Sequence, residues 1–265
     1  MALRLEFLRN WCPPQLKTWL TANKNVRFSG CYGSWPAAMA KSDGYAAQII
    51  LQRAEEAAKK VLNGQAAYER DTVCFAENTI DVGFWCAWLW SGKGGIVDVG
   101  GALGSSFFRH QKILMSNGLP FYHVVEQPDF VAAGRRLNVE KLSFFDNFPA
   151  AVSRVKPSLA VLASVLGYLE RPEELLRQLT AAQIEFVFID RTLFGQSRIA
   201  VEYTPPQLGG ASYPVRVFDR NELLTKYFSE YELLWEFSAL EGQVKLTKPS
   251  ATAESCGMLL KRRRA

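Results

Sequence analysis

The sequence is poor in histidine and cysteine. Its 265 residues contain two histidines and five cysteines, and no two cysteines form a CxxC pair. Their odd number and wide spacing argue against a disulfide framework or a zinc site and fit a reducing compartment. We therefore expect a cytoplasmic protein that holds no metal.

Long hydrophobic runs and strong charge are also lacking. The most apolar stretch, VGFWCAWLW at 82–90, is too short to cross a bilayer, and we expect no secretory leader. The formal net charge is only +5, and part of it lies in the terminal KRRRA, which predicts a solvated tail rather than a nucleic-acid arm. We expect no membrane span and no nucleic-acid partner, and the sequence leaves the oligomeric state open.

The chain is predicted to have two parts, a helical cap at 1–92 without convincing strand alternation and a core at 93–265. In the core, short apolar runs alternate with helical segments, which predicts βαβ units and a mostly parallel sheet. The last two strands follow each other directly and are expected to pair antiparallel at the sheet edge. The predicted strands are 95–99, 121–126, 142–145, 159–163, 185–190, 231–239 and 257–262, and the predicted helices are 44–64, 104–117, 128–137, 172–182 and 219–228.

One glycine-rich turn joins the first core strand to the first core helix. The stretch GGIVDVGGALGSSFF at 94–108 has an apolar run around Asp98, followed by Gly100, Gly101 and Gly104. A P-loop needs its lysine after the strand, whereas Lys93 precedes it. A dinucleotide turn needs G-x-G-x-x-G, which is not matched.

The acid before the turn indicates the charge of the ligand. Asp98 would repel a pyrophosphate, but it suits a ligand with a positive end. S-adenosylmethionine has an ammonium, a sulfonium and no phosphate. The turn follows the pattern D/E-x-G-x-G-x-G with Ala102 in place of the middle glycine. A strand–turn–helix junction without a ligand remains the alternative.

The next two strands add polar groups where each strand ends. Glu126 closes the second core strand, where an acid in nucleoside-binding α/β folds accepts hydrogen bonds from both ribose hydroxyls. Asp146 or Asn147 closes the third strand and could meet an adenine amine. Because parallel strands end at one edge of the sheet, these groups predict a single pocket.

Eight ordered segments support a more specific resemblance. The core resembles a class I S-adenosylmethionine-dependent methyltransferase with a Rossmann-like fold. The whole chain resembles a methyltransferase family associated with bacterial surface-polysaccharide and sugar biosynthesis. The segments are FSGCYGSWPAA, SDGYAAQII, AAYERD, VDVGGALGSSFF, HVVEQPDFV, LASVLGYLERP, FIDRTLF and ASYPVRVF.

The resemblance implies the cofactor and the parts of its site. Asp98 and the three glycines would hold the methionine part of S-adenosylmethionine, and Asp146 would approach the adenine. Glu126 would bind the ribose, with Gln127 beside it. The acceptor would be a small molecule derived from a sugar or a polysaccharide precursor.

The group that activates the acceptor is not evident from the sequence. His110 and His123 are expected to be packing residues. The weak candidates are Asp190 and Arg191, which are expected at the end of the fifth core strand, and Tyr213 beside the loop TPPQLGGASYP. A structural salt bridge from Arg191 to Asp190 or to Glu170 is the alternative role for Arg191.

The first 92 residues contain a second group of candidates. Tyr32 and Trp35 lie in an expected aromatic loop that could cover the acceptor, or the segment could be scaffold. Glu69, Arg70 and Asp71 in YERD could bind acceptor hydroxyls or hold the cap to the core.

Three functions therefore remain open. The first is a methyltransferase acting on a small acceptor. The second is a methyltransferase fold that binds cofactor but has lost transfer, because no general base is evident. The third, an NAD-dependent oxidoreductase, is opposed by Asp98.

Overall fold

The structure of the protein is a computed structural model. It describes residues 26–44, 47–70, 72–77, 79, 81–205 and 210–263. Predictions that concern the first 25 residues, Asp71, loop residues 206–209 or the last two residues of the basic tail lie outside the described residues.

Eight α-helices and one 3-10 helix (Leu166–Tyr168) are present in the described part of the chain, and local sequence explains where several begin. Proline occupies the first turn of the two core helices that start at Pro128 and Pro172, where its missing N–H costs nothing. Asp81 and Asp219 cap two others by accepting hydrogen bonds from backbone amides. The predicted core helices are thereby confirmed. The helices are α1 (Trp35–Met39), α2 (Ala47–Leu62), α3 (Val82–Trp90), α4 (Ser105–Ser116), α5 (Pro128–Leu137), α6 (Phe148–Val152), α7 (Pro172–Ala181) and α8 (Arg220–Tyr227).

Twelve strands are present in the same described ranges, ten of them in one sheet and two in a hairpin. The strands are β1 (Arg27–Tyr32), β2 (Tyr68–Arg70), β3 (Val73–Phe75), β4 (Ile96–Val99), β5 (Tyr122–Val125), β6 (Leu142–Phe145), β7 (Leu159–Ala163), β8 (Phe186–Gly195), β9 (Arg198–Tyr203), β10 (Ser212–Val217), β11 (Tyr231–Thr247) and β12 (Ala251–Arg262). All seven predicted core strands are found.

The order in the large sheet is β10-β9-β1-β11-β12-β8-β7-β4-β5-β6. Strands β4, β5, β6, β7 and β8 are mutually parallel, and the antiparallel pairing of β11 with β12 is confirmed. The prediction of seven strands is wrong in number, because β1, β9 and β10 add to the sheet beyond β11. The antiparallel pair therefore lies inside the sheet and not at its edge.

Strands β1, β9 and β10 curve back, so that the end of β10 meets β8. Just after β10, Phe218 exchanges backbone hydrogen bonds with β8, since Gly195 N donates to Phe218 O and Phe218 N donates to Leu193 O, both at 2.9 Å. Strands β1, β9 and β10 and the outer halves of β8, β11 and β12 thus close into a ring, which we call the strand ring. All six strands contribute to its apolar interior, with Phe28, Leu193, Ala200, Val215, Val217, Leu246 and Ala253.

The predicted helical cap is wrong in part. The sequence predicts an aromatic loop that begins at Phe28, but residues 28–32 belong to strand β1 of the large sheet. A small hairpin, β2–β3, also lies before the core. Helix α2 was predicted correctly within a few residues at each end. Tertiary pairing decided the β1 assignment, because one of the two inward positions of RFSGCY is Gly30, so no apolar side chain continues the alternation that begins at Phe28.

Helices cover both faces of the parallel strands. One buried cluster joins these strands to α6, α7 and α8, and a second joins them to α3, α4 and α5. Residues at the carboxyl ends of the strands are therefore held between two packed layers. Across the described ranges, no helix combines the length and apolar character that a membrane crossing requires.

Trp35, which the sequence suggested for a cover over the acceptor, is a packing residue in the structure. Its side chain is buried on the outer face of the strand ring, against Ile199 and Val201, and Arg216 lies over its ring at 5.8 Å. We expect Trp35→Ala to lower the free energy of unfolding by about 3–5 kcal/mol in chemical denaturation. Trp90→Ala, which changes a half-exposed tryptophan, is the control and should cost far less. Equal stabilities of the two variants would contradict the packing role.

Candidate functional site

The glycine turn after β4 depends on left-handed backbone conformations. Gly100, Ala102 and Gly104 have φ angles of 74°, 50° and 95°. Gly100 N donates to Val125 O of the next strand at 2.9 Å. A Cβ at position 100 would lie 2.7 Å from Val165 Cγ2, so glycine is required there both for φ and for space. Ala102 adopts the same region at a modest cost in strain.

Asp98 lies beneath this turn and is 1% exposed. Tyr122 Oη donates to its Oδ2 at 2.7 Å, and a Cβ at Gly101 would lie 2.6 Å from the same oxygen. Burial raises the pKa of Asp98 to about 7, and Glu126 adds to this, while Tyr122 and Arg191 oppose it. Near pH 7 the carboxyl group is therefore partly protonated and partly ionised, and a cationic ligand would favour the ionised form.

Glu126 contacts the glycine turn directly. Its Oε1 accepts from Ala102 N at 3.1 Å and its Oε2 accepts from Gln127 N at 2.9 Å. A carboxylate has about four acceptor positions, so two remain for the hydroxyls of a diol. Burial raises its pKa. Gln127 itself is exposed and makes no side-chain cap for α5.

Asp146 lies at the same edge of the sheet. Glu126 N donates to Phe145 O at 3.0 Å, which places the ends of β5 and β6 side by side. The exposed Asp146 accepts from Asn147 Nδ2 at 2.7 Å, and Asn147 caps α6 through Ala150 N. Of the two residues considered for an adenine amine, Asp146 is the one without a capping role.

A carboxylate from the hairpin lies at the N-terminus of α4, where a dinucleotide fold would place its pyrophosphate. Glu69 is 7% exposed and accepts hydrogen bonds from Ser105 Oγ and from Thr72 N at 2.9 Å. Glu69 thus adds a second acid to Asp98 at this turn. A bound pyrophosphate would therefore meet two acids.

The β2–β3 hairpin also contacts β11 of the large sheet. Arg70 Nη2 lies 3.3 Å from Glu241 Oε1 in β11, and Ser255 Oγ donates to Glu241 Oε2 at 3.4 Å. These contacts favour the second of the two roles predicted for YERD, that of joining the N-terminal segment to the core.

Asp190 and Arg191 do not end their strand, which corrects their predicted position. β8 continues to Gly195, with a bulge at Arg191, whose φ is 51°. Asp190 pairs with Ala163, the last residue of β7, so both residues are still level with the carboxyl edge. Arg191 Nε lies 3.6 Å from Asp190 Oδ2, and this is the salt bridge considered as an alternative role. Burial raises the pKa of Asp190, and Arg191 opposes the increase.

Tyr213 belongs to a cluster that sequence reasoning missed. Glu202 of β9 is 6% exposed and accepts from Tyr168 Oη at 2.7 Å and from Tyr213 Oη at 3.4 Å. The two rings lie edge to face with centroids 5.5 Å apart. Tyr168 ends the short 3-10 helix (Leu166–Tyr168) that comes after β7, so the cluster lies where the strand ring meets the carboxyl edge. The available signal was one acid within the apolar run RIAVEY, which resembles Asp98 in IVDV.

The two histidines take no part in this edge. His110 is buried, stacks on Phe84 at 4.3 Å and has its pKa lowered to about 4, mainly by burial. His123 binds Ala151 O at 2.7 Å, and burial lowers its pKa as well. Both side chains are therefore neutral at physiological pH and packed, as the sequence predicted.

Comparison with known proteins reveals a shared fold. No protein-family model matches the chain, and no curated protein matches it either. A methyltransferase from Anabaena variabilis ATCC 29413, dependent on S-adenosylmethionine, has 15% identity and a TM-score of 0.50, over 85% of this chain and 98% of that one. A second, from Clostridium acetobutylicum ATCC 824, has 10% identity and a TM-score of 0.44, over 69% and 90%. Magnesium protoporphyrin IX methyltransferase from Synechocystis PCC 6803, with bound S-adenosylhomocysteine, has 10% identity and a TM-score of 0.43, over 69% and 80%.

The likeness to the Anabaena structure covers most of both chains and shows the fold. The chain has a mixed α/β, Rossmann-like methyltransferase fold built on a central parallel sheet. At this level of sequence identity the shared fold does not define the reaction, so the reaction must be argued from the residues at the carboxyl edge of the sheet.

Proposed function

We propose that the protein is an S-adenosylmethionine-dependent methyltransferase that acts on a small-molecule acceptor. The observation that carries this proposal is the pair of carboxylates at the glycine turn. Asp98 lies beneath the turn and Glu69 lies at the N-terminus of α4. An anionic turn suits a cofactor that carries an ammonium and a sulfonium, and it opposes the pyrophosphate of NAD.

The described residues fit the parts of this cofactor. Asp98 would bind the ammonium, with Gly100, Gly101 and Gly104 shaping the turn around the methionine part. Glu126 has acceptor capacity for the ribose diol, and its hydrogen bond to Ala102 N couples the two halves of the site. Asp146 would accept from the adenine amine. Bound S-adenosylmethionine supplies a methyl group on a positively charged sulfur.

The acceptor would approach between the β8 bulge and the strand ring. Arg191 and Asp190 at the bulge, and Tyr213, Tyr168 and Glu202 in and beside the strand ring, are the polar groups that would contact it. Their main contribution is to hold the acceptor in line with the methyl group, since alignment supplies much of the rate in a displacement of this kind. The finer assignment, a sugar-derived acceptor, rests on the family resemblance of the sequence.

Binding of three ligands and release of one product distinguish the candidate functions. We expect calorimetry to detect binding of S-adenosylmethionine and S-adenosylhomocysteine and no binding of NAD. Release of S-adenosylhomocysteine would then be measured with a panel of hydroxylated and amine acceptors that includes nucleotide sugars. Binding of the cofactor without release on any acceptor would favour the silent binding module, and binding of NAD alone would overturn the proposal.

Glu126→Gln tests the ribose contact with little change in shape. The neutral amide keeps one oxygen for Ala102 N but accepts the diol hydrogen bonds more weakly. We expect affinity for S-adenosylhomocysteine to fall by about 1–3 kcal/mol. Affinity for 5′-methylthioadenosine, which has the same ribose and no amino-acid part, should fall equally. Asp129→Asn, an exposed change in the first turn of α5, is the control. Unchanged affinities in the Glu126→Gln variant would remove Glu126 from the site.

A further inference from the structure

Tyr122 places a buried hydroxyl against the acid of the glycine turn. It lies on β5, which pairs in parallel with β4, and its side chain is fully buried. Phe107 of α4 fixes its ring edge to face, with centroids 5.4 Å apart. Burial and the neighbouring Asp98 raise the pKa of Tyr122 well above its usual value, so the phenol stays protonated and donates to Asp98 at 2.7 Å.

Asp98 interacts with charged or titratable groups from three directions. Tyr122 of β5 donates a hydrogen bond, Glu126 after β5 opposes ionisation, and Arg191 of β8 favours it. The hydroxyl of Ser106 in α4 in turn hydrogen-bonds Tyr122. Replacing Tyr122 by phenylalanine would keep the ring and remove the hydroxyl that donates to Asp98 and that hydrogen-bonds Ser106.

We propose that Tyr122 is a positioning residue that holds Asp98 ionised and aimed at the ammonium of the cofactor, which makes cofactor affinity rise with pH across neutrality. This inference rests on the proposed function. Below about pH 7 the carboxyl group of the free protein is protonated, and a cation loses its partner. Without the hydroxyl, the pKa of Asp98 is higher still, so the rise in affinity moves to higher pH.

The test is the pH profile of binding in Tyr122→Phe. Calorimetric affinities for S-adenosylhomocysteine would be measured from pH about 6 to about 9, on both sides of the expected titration. We expect the variant to bind about tenfold more weakly than the parent near pH 7 and to recover most of this loss near pH 9. 5′-Methylthioadenosine lacks the ammonium, so its affinity should stay constant with pH and equal in both proteins.

Tyr231→Phe is the matched control. Tyr231 is also buried, and its hydroxyl donates to Ile184 O at 2.9 Å, at the start of β11. It should lose comparable stability and leave the pH profile unchanged. A uniform loss of affinity at every pH in Tyr122→Phe, or an equal loss for 5′-methylthioadenosine, would show that the hydroxyl is structural only and would overturn the inference.

A measurement on the parent protein covers the case in which Tyr122→Phe does not fold. Near pH 7, binding of S-adenosylhomocysteine should release a proton, seen by calorimetry in buffers of different ionisation enthalpy, and Asp98→Asn should remove this release. Release in neither protein overturns the inference, although the proposed function stands. Failure of both nucleoside ligands to bind the parent protein would overturn both.

Discussion

A valine at position 100 is expected to abolish cofactor binding while the protein stays folded. Gly100 has a φ of +74°, and a Cβ there would lie 2.7 Å from Val165 Cγ2. A β-branched residue tolerates neither the angle nor the contact, so the turn must move away from Val125 O, to which Gly100 N now donates. We expect a loss of at least about a thousandfold in affinity for S-adenosylhomocysteine, because the turn forms part of the binding surface.

Gly118→Val separates this effect from general strain. Gly118 has a similar φ of +77° after α4, and a Cβ there meets nothing within 4 Å. It lies at the opposite edge of the sheet, so the variant should lose some stability and keep its affinity. Circular dichroism would report the fold and calorimetry the binding. Tight binding by Gly100→Val would mean that the turn is structural and lies outside the site.

Asp98→Asn is expected to weaken binding of S-adenosylhomocysteine by at least about a hundredfold, because the ammonium would lose the buried countercharge beneath the turn. 5′-Methylthioadenosine should bind as before. The asparagine oxygen can still accept from Tyr122, so the local geometry is retained. Equal loss for both ligands would point to a disturbed turn rather than to a lost charge.

The same variant should be more stable than its parent at alkaline pH. Burial raises the pKa of Asp98 from 3.8 to about 7. The unfolded chain loses this proton near pH 4 and the folded protein only near pH 7, so the parent loses stability as pH rises across this window. The asparagine in Asp98→Asn does not titrate, so the variant avoids this loss. Denaturation at pH values below and above the window would reveal the difference, and identical pH dependence would argue that Asp98 is already ionised in the folded protein.

Local sequence was enough to predict the parallel core. Strands such as Ile96–Val99 and Leu159–Ala163 are compact apolar runs between turns, and their neighbouring helices have proline or aspartate at their starts. The strand ring was missed because its strands depend on distant partners. β1 has Gly30 at an inward position, which interrupts the apolar alternation of its sequence, and β10 contains Pro214. The segment around Gly242 in β11 has the composition of a turn, yet the strand continues through a bulge.

The residues of the candidate site also fall into two groups, those that local sequence predicted and those that it did not. Asp98, the glycines and Glu126 each stand next to a predicted strand end, so their shared edge followed from topology alone. Tyr122, Glu69 and Glu202 owe their positions to contacts between segments far apart in the chain. The acids in YERD and RIAVEY are visible in the sequence, but no local pattern places them at this edge. Only the tertiary structure shows where these three side chains lie relative to the carboxyl edge of the sheet.

The place of β12 in the sheet has a consequence for how the chain is made. It is the last strand described, yet it lies between β8 and β11 and pairs with both. During synthesis β8 and β11 leave the ribosome before β12, so the backbone groups that pair with β12 have no partner at first. Strand β1, made earlier still, can pair with β11 only after Leu246 and Thr247 have been synthesised. Such distant pairings slow folding and leave open edges that attract other chains. The nascent protein should therefore need protection from aggregation until β12 emerges.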